Sequence, residues 1–276
     1  MTMPEEINRL VTDKLSDLLL TTSTDAIGHL GNEGTDPDKI HFVGNPMIDT
    51  LLKNKERFDP EAVRGEVGID GVGPVKGAQK VAEQALVAAK GDVAEIERLI
   101  KEGEKPNIQD SKSRTPLHVA VYMKQPAAAR ALLKLGADPN KLEFERYDVA
   151  TIAAVRNDVE MLKIVLDGGA SAKNITSRYD GTALIAAAHL GHVEPVKLLI
   201  AAKAPLNHVN NLGLTALLEA IVLGNGDANH TATVRALVEA GADINRADRQ
   251  GTTPLQHARR RGYVEMARIL EGAGGQ

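Results

Sequence analysis

The chain contains no cysteine, which excludes disulfides, thiolate metal sites and cysteine nucleophiles. It has no tryptophan, and aromatic residues make up only 3% of its 276 positions. A conventional globular core uses more aromatic volume, whereas stacked helices rich in alanine and leucine need little. No apolar run reaches the length of a membrane span. The opening MTMPEEINRL, with two acids and a proline, is not a signal peptide. These absences predict a cytoplasmic protein that does not insert into membranes. Charge of one sign is not in excess either: 33 basic against 37 acidic residues leave a net charge of −4. Bulk electrostatics therefore do not point to nucleic acid.

What is present is a repeat. Thr115-Pro116-Leu117-His118 is followed by Leu132-Leu133 and then by Gly136-Ala137-Asp138-Pro139-Asn140. The order returns as Thr182-Ala183-Leu184, Leu198-Leu199, Ala204 and Asn207. It returns again as Thr215-Ala216-Leu217, Leu237 and Gly241 to Asn245, and a last copy runs from Thr253-Pro254-Leu255 to Leu270. A degenerate copy has Asp148 in the threonine slot, then Leu162 and Gly169-Ala170. The openers 115, 148, 182, 215 and 253 are 33, 34, 33 and 38 residues apart. Each opener suits a helix N-cap, and proline after it loses no hydrogen bond. Leu117, Ala120, Leu132 and Leu133 fall at helical spacing on stacking faces, and Gly136, Gly169 and Gly241 suit the left-handed backbone that ends a helix.

Residue identity and spacing recurring together resemble the ankyrin repeat, with its T-P-L-H-x-A signature and period of about 33. The match is best to bacterial ankyrin proteins, the small, often exported kind. A further copy at 85–107 reads as the N-terminal cap. The resemblance implies a mainly α chain whose residues 79–276 form a solenoid of about six repeats. It also implies a non-enzymatic scaffold for protein–protein interaction.

Residues 3–58 have another texture. Helices are expected at 5–14, 25–30 and 47–55, and strands at 17–22 and 39–44, the grammar of a parallel α/β sheet. The runs PEEINRLVTDKLSDLLL and KIHFVGNPMIDTLL resemble an internal stretch of the UDP-N-acetylglucosamine 2-epimerases. Pro4, Glu5, Glu6, Asn8, Arg9, Asp13, Ser16 and Asp17 carry the likeness, with Val43-Gly44-Asn45 and Ile48-Asp49. The resemblance makes Glu5 a vestigial counterpart of an active-site acid. The family's glycine-rich loop, its other acids and its H-R-R-E motif have no counterpart here. The expectation is an incomplete, inactive α/β fragment at 1–58, no catalysis by this chain, and no cofactor. Between the two parts, residues 59–78 carry Gly65, Gly68, Gly71, Gly73, Pro74 and Gly77, a linker composition.

Candidate chemical sites have plainer readings. His189 and His192 with Glu194 suggest a metal, but Gly191 to Glu194 fits the turn between two ankyrin helices. His118 occupies the T-P-L-H slot, where a backbone hydrogen bond is the usual use, and His257 has no partner at ligand spacing. Asn225, Asp227 and Asn229 in the insertion at 224–230 echo a calcium loop without its closing acid, so a solvated loop is expected. Gly71 and Gly73 lead into proline, not from strand to helix, so they are no phosphate loop.

The variable positions carry more. In ankyrin folds the turn tips and the exposed end of each first helix form a concave face. By register that face holds Lys112, Arg114, Tyr122 and Met123, then Phe144, Tyr147 and Arg156, then Arg178 and Tyr179. Leu212, Arg249, Arg260 and Arg261 complete the partner-binding set, with Glu145, Val155, His189, Leu190, Asn211, Val222, Leu223 and Gln250 beside them. Four of the five aromatics in the repeats lie there, and aromatics and arginine dominate binding hot spots. Phe144 also fits a space-filling role in the degenerate repeat. The basic residues point to an acidic protein partner.

Overall fold

Threonine before an apolar helix start recurs because its hydroxyl satisfies an orphan backbone N–H. In the computed structural model, which describes residues 19–21, 40–42 and 76–276, every expected opener does this. Thr115, Asp148, Thr182, Thr215 and Thr253 accept from the N–H groups of His118, Thr151, Ile185, Leu218 and Gln256. The degenerate copy is thus a competent repeat, with the Asp148 carboxylate replacing a hydroxyl.

The chain divides into two units, Met1–Gly73 and Pro74–Gln276. In the first, strands β1 (Leu19–Thr21) and β2 (Ile40–Phe42) pair in parallel, with Leu19 opposite Ile40 and Thr21 opposite Phe42. Both lie inside the expected strands. The three expected helices and Glu5 lie outside the described residues.

The second unit is helical. Its first helices are α1 (Lys76–Lys90), α3 (Pro116–Tyr122), α5 (Val149–Val155), α7 (Ala183–His189), α9 (Ala216–Val222) and α11 (Pro254–Arg260). Its second helices are α2 (Val93–Lys101), α4 (Pro126–Lys134), α6 (Val159–Asp167), α8 (Val193–Ala201), α10 (Ala228–Glu239) and α12 (Val264–Gly272). First helices pack on first helices and second on second along the whole series, giving a two-layer stack of six pairs. Helix α1 opens at Lys76, so positions 76–78 are helical where the glycine content predicts linker. Among the described residues, no helix is long and apolar enough to cross a membrane.

Two columns of side chains account for the low aromatic content. Five residues after each opener, Ala120, Ala153, Ala187, Ala220 and Ala258 are fully buried, so first helices approach closely. Two residues after the opener, Leu117, Leu184, Leu217 and Leu255 fill the space between layers. Outer-layer Leu132, Leu162, Leu199, Leu237 and Leu270 do the same from the other side.

Polar groups lock the register between repeats. Asn107 donates to the Gly136 carbonyl (3.1 Å) and accepts from Asp138 N–H (2.7 Å), and Asn140 repeats this with Gly169 and Ser171. Asn207 and Asn245 accept from Asp243 and Gln276 N–H groups in the same way. Gly136, Gly169 and Gly241 take φ of +91°, +96° and +88° at the helix ends, and Lys203 takes +62° where the fourth repeat has no glycine. A non-glycine residue there carries about 1 kcal/mol of strain.

The insertion at 224–230 is a loop over 224–227, with Asn225 and Asp227 exposed as expected, and helix from Ala228 onward, with Gly224 and His230 buried. Asp227 caps α10, accepting from His230 N–H (2.8 Å), so residues 228–230 form the first turn of a helix longer than its counterparts. Asn225 and Asp227 use their oxygens on local N–H groups, which is the physical reason the calcium-like alternation appears. The buried His230 ring faces the His189 carbonyl (3.0 Å), and Tyr263 donates its hydroxyl hydrogen to the Gly224 carbonyl (3.1 Å). Gly226, at φ +76°, lies where a β-carbon would run into the Tyr263 ring. Neighbouring repeats hold the insertion from both sides.

Candidate protein-binding face

Each tip before a first helix closes on itself. Asp110 N–H donates to Arg114 O, Glu143 N–H to Tyr147 O, Thr176 N–H to Gly181 O, Asn210 N–H to Leu214 O and Asp248 N–H to Thr252 O, at 2.8–3.0 Å. Successive tips are also tied: Phe144 N–H donates to Lys112 O, Ser177 N–H to Arg146 O and Asn211 N–H to Tyr179 O. At the last junction the Arg249 guanidinium reaches the Asn211 carbonyl instead, at 2.6 Å. The tips are therefore tied into a continuous row.

Along this row the expected residues divide into presented and used. Lys112, Tyr122, Phe144, Arg178, Tyr179, Leu212, Arg249, Arg260 and Arg261 are exposed, as are Val155, Leu190 and Leu223. Seven of the nine exposed large apolar side chains of the described residues are at the positions that register assigns to this face; Ile175 and Val264 are the others. Phe144 is 73% exposed and fills no space. Arg114, Met123, Tyr147 and Arg156 are half-buried. Arg114 pairs with Asp110 at 2.6 Å, so its charge is engaged in its own tip. Arg156 lies over the Tyr122 ring, 4.3 Å from its centroid, joining two repeats by a cation–π contact. Arg178 stands 3.9 Å from Glu145.

One polar cluster under the face escaped the sequence reading. Glu219 is buried in α9, at a position where other first helices carry Val119, Ile152 or Ala186. It accepts from Asn210 Nδ2 at 2.6 Å and faces His189 Nδ1 at 3.1 Å. The next repeat exchanges the chemistry: His257, at the position of Glu219, meets Asp248, at the position of Asn210, at 2.7 Å. Burial opposes ionisation of Asp248, but the Thr252 and Gln250 N–H groups and His257 outweigh it and hold the carboxyl below its ordinary value. The signal was an acid in an apolar column, which only repeat-by-repeat alignment exposes.

His118 and His192 serve the stack. His118 is buried between Thr115 and the Lys141 carbonyl (3.1 Å), and burial pushes its pKa below the ordinary histidine value, so the ring is neutral. His192 bonds to the Ala154 carbonyl at 2.9 Å. Among the described residues no three His, Asp or Glu side chains converge as a metal ligand set.

A row of hydrogen-bonded tips beside capped helix pairs, with a 33-residue period, defines a repeat scaffold whose business is contact with other proteins. Residues 76–143 and 150–248 match the family of ankyrin repeats (3 copies), and 226–271 match ankyrin repeats (many copies); the chain belongs to the ankyrin-repeat family. It is 34% identical to the ankyrin repeat protein YahD of Escherichia coli (strain K12), over 70% of this chain and 96% of that protein. A solved ankyrin repeat domain from Acinetobacter baumannii AYE is 43% identical, with TM-score 0.67 over 70% of this chain and 98% of that one. The ankyrin repeat domain of Bcl-3, a member of the IkappaB protein family, is 27% identical, with TM-score 0.63 over 70% of this chain and 86% of that one. Residues 1–72 match UDP-N-acetylglucosamine 2-epimerase. The enzyme of Methanococcus maripaludis is 40% identical over 52 residues, which span only 14% of its length.

Proposed function

We propose that this chain is a non-enzymatic scaffold that docks a protein partner on the concave face formed by the tips and first-helix ends. The observation that carries this is the concentration of exposed apolar side chains there, seven of nine among the described residues. Large exposed apolar groups rimmed by charge mark interaction sites, and aromatics and arginine give such sites their energy. Tyr122, Tyr179, Phe144, Leu212 and Arg156 form the centre of this surface, with Lys112, Arg178, Arg249, Arg260 and Arg261 as its basic rim. The rim favours a partner that is acidic where it meets the arginines. Arg114 and Tyr147 contribute chiefly by shaping their tips.

The reading is tested by capture of partners from a lysate of the source cell on the full chain and on face variants. Tyr179→Ala should weaken retention of a genuine partner by about 1–3 kcal/mol while leaving the melting temperature nearly unchanged. Retention of every captured protein by a Tyr122→Ala/Tyr179→Ala/Leu212→Ala chain would refute the site.

For the first unit we propose an epimerase-related fragment, 1–58, joined through 59–75 to the repeats and inactive. A nucleotide sugar needs its diphosphate gripped and water excluded, and 52 matched residues of a much longer enzyme leave Glu5 alone for that chemistry. The pure chain should leave UDP-N-acetylglucosamine unchanged by NMR. Turnover that vanishes in Glu5→Gln would overturn this.

A further inference from the structure

The chemistry of the face changes along the stack. At the two positions that close each first helix, the second to fifth repeats each present an exposed large apolar side chain: Tyr122, Val155, Leu190 and Leu223, each 38–47% exposed. The sixth repeat replaces both positions with arginine, Arg260 and Arg261. Arg249 joins them from the last tip. The contacts of all three are to neutral groups: the Asn211 carbonyl for Arg249, the Thr252 hydroxyl for Arg260 at 3.5 Å, and the Tyr263 ring for Arg261 at 6.0 Å. Arginines on the other side of the same repeat are paired, Arg259 with Glu271 and Arg268 with Glu265. Carboxylates are thus at hand in this repeat, yet the three arginines of the face are left to something outside it.

We infer that the face takes an extended protein segment of polarised sequence, with apolar side chains over the second to fifth repeats and a cluster of carboxylates over Arg249, Arg260 and Arg261. This rests on the protein-binding reading above and adds the chemistry and direction of the occupant. Three like charges raise one another's energy, and carboxylates relieve that repulsion while bonding to guanidinium forks in pairs. Nucleic acid fits less well, because its phosphates need cations along the whole path, and in the second to fifth repeats Arg156 lies over Tyr122 and Arg178 stands 3.9 Å from Glu145, leaving Lys112 at the far end. Stacked helices lie about 8–10 Å apart and an extended chain rises about 3.3 Å per residue, so the path holds about 10–12 residues with one apolar anchor in roughly three.

Random peptides of about twelve residues, displayed on phage and selected on the immobilised full chain, test the inference. The selected sequences should carry Asp or Glu grouped at one end and apolar residues elsewhere. Synthetic copies should bind about tenfold more weakly to the Arg260→Glu/Arg261→Glu chain, and exchanging their acids for lysine should restore binding to that chain. Leu190→Ala and Leu223→Ala should weaken the same peptides whatever their end charge. Peptides that need the leucines but show no acidic end, or ignore the charge reversal, overturn the polarity and leave the protein-binding reading standing. A selection that yields nothing sensitive to either set of substitutions overturns both. Single-stranded DNA of the same length, run in parallel, overturns the inference if it binds more tightly than every peptide and is released by the charge reversal.

Discussion

Leu184→Ala is expected to lower the thermal unfolding midpoint by on the order of 10 °C. Leu184 is fully buried in α7, which packs against α5, α8 and α9 near the middle of the stack. A buried leucine cut to alanine loses about 2–5 kcal/mol, and for a domain of this size each kcal/mol shifts the midpoint by about 2–4 °C. Position matters as much as burial. Each repeat contacts only its neighbours, so a weak central repeat uncouples the two halves, whereas a weak end repeat merely frays. Leu190, six residues on but 40% exposed, provides the contrast. Its alanine variant should stay within about 0.5 kcal/mol of the parent. Calorimetry that finds the two variants melting together would refute the division between stacking core and presented face.

Asn210→Ala should be nearly as damaging, about 2–4 kcal/mol, for a different reason. Its side-chain Oδ1 accepts from the Leu212 and Leu214 N–H groups, both at 3.0 Å, and its side-chain Nδ2 donates to Glu219 at 2.6 Å. The variant loses the brace of the tip and leaves a carboxylate, 5% exposed, with His189 as its remaining partner. In a Glu219→Val background there is no carboxylate to strand, and valine is what α3 carries at that position as Val119. The loss from Asn210→Ala should then shrink by about 1–3 kcal/mol. Urea unfolding of the four proteins measures the coupling. A coupling of zero would mean that the amide serves only the tip.

These two residues mark where reading the chain succeeded and where it stopped. Leu184 was legible because threonine, leucine and glycine recur at a fixed period, and each acts locally, as cap, core or helix end. Even the Asp148 repeat was legible, since a carboxylate can cap a helix as a hydroxyl does. Glu219 was not, because a lone acid in an apolar column has meaning only beside Asn210 and His189, nine and thirty residues away. The insertion was legible only in part, for the same reason. Asn225 and Asp227 are exposed, as their polarity suggests, but the ties of His230 to His189 and of Gly224 to Tyr263, from the repeats on either side, appear only in the fold. Arg114 looked available until Asp110 proved to hold it within its own tip.

Local chemistry repeated at constant spacing determines the architecture, because a solenoid is a sum of nearest-neighbour contacts and each contact is written in every copy. The period, the caps, the small-residue column and the family all follow from the chain alone. Which charges face outward is another kind of quantity. It depends on whether a partner group in the same tip or a whole repeat away reaches a given arginine or carboxylate, and no local rule contains that distance. Only the folded stack distinguishes Arg114, occupied by Asp110, from Arg260 and Arg261, which meet neutral groups.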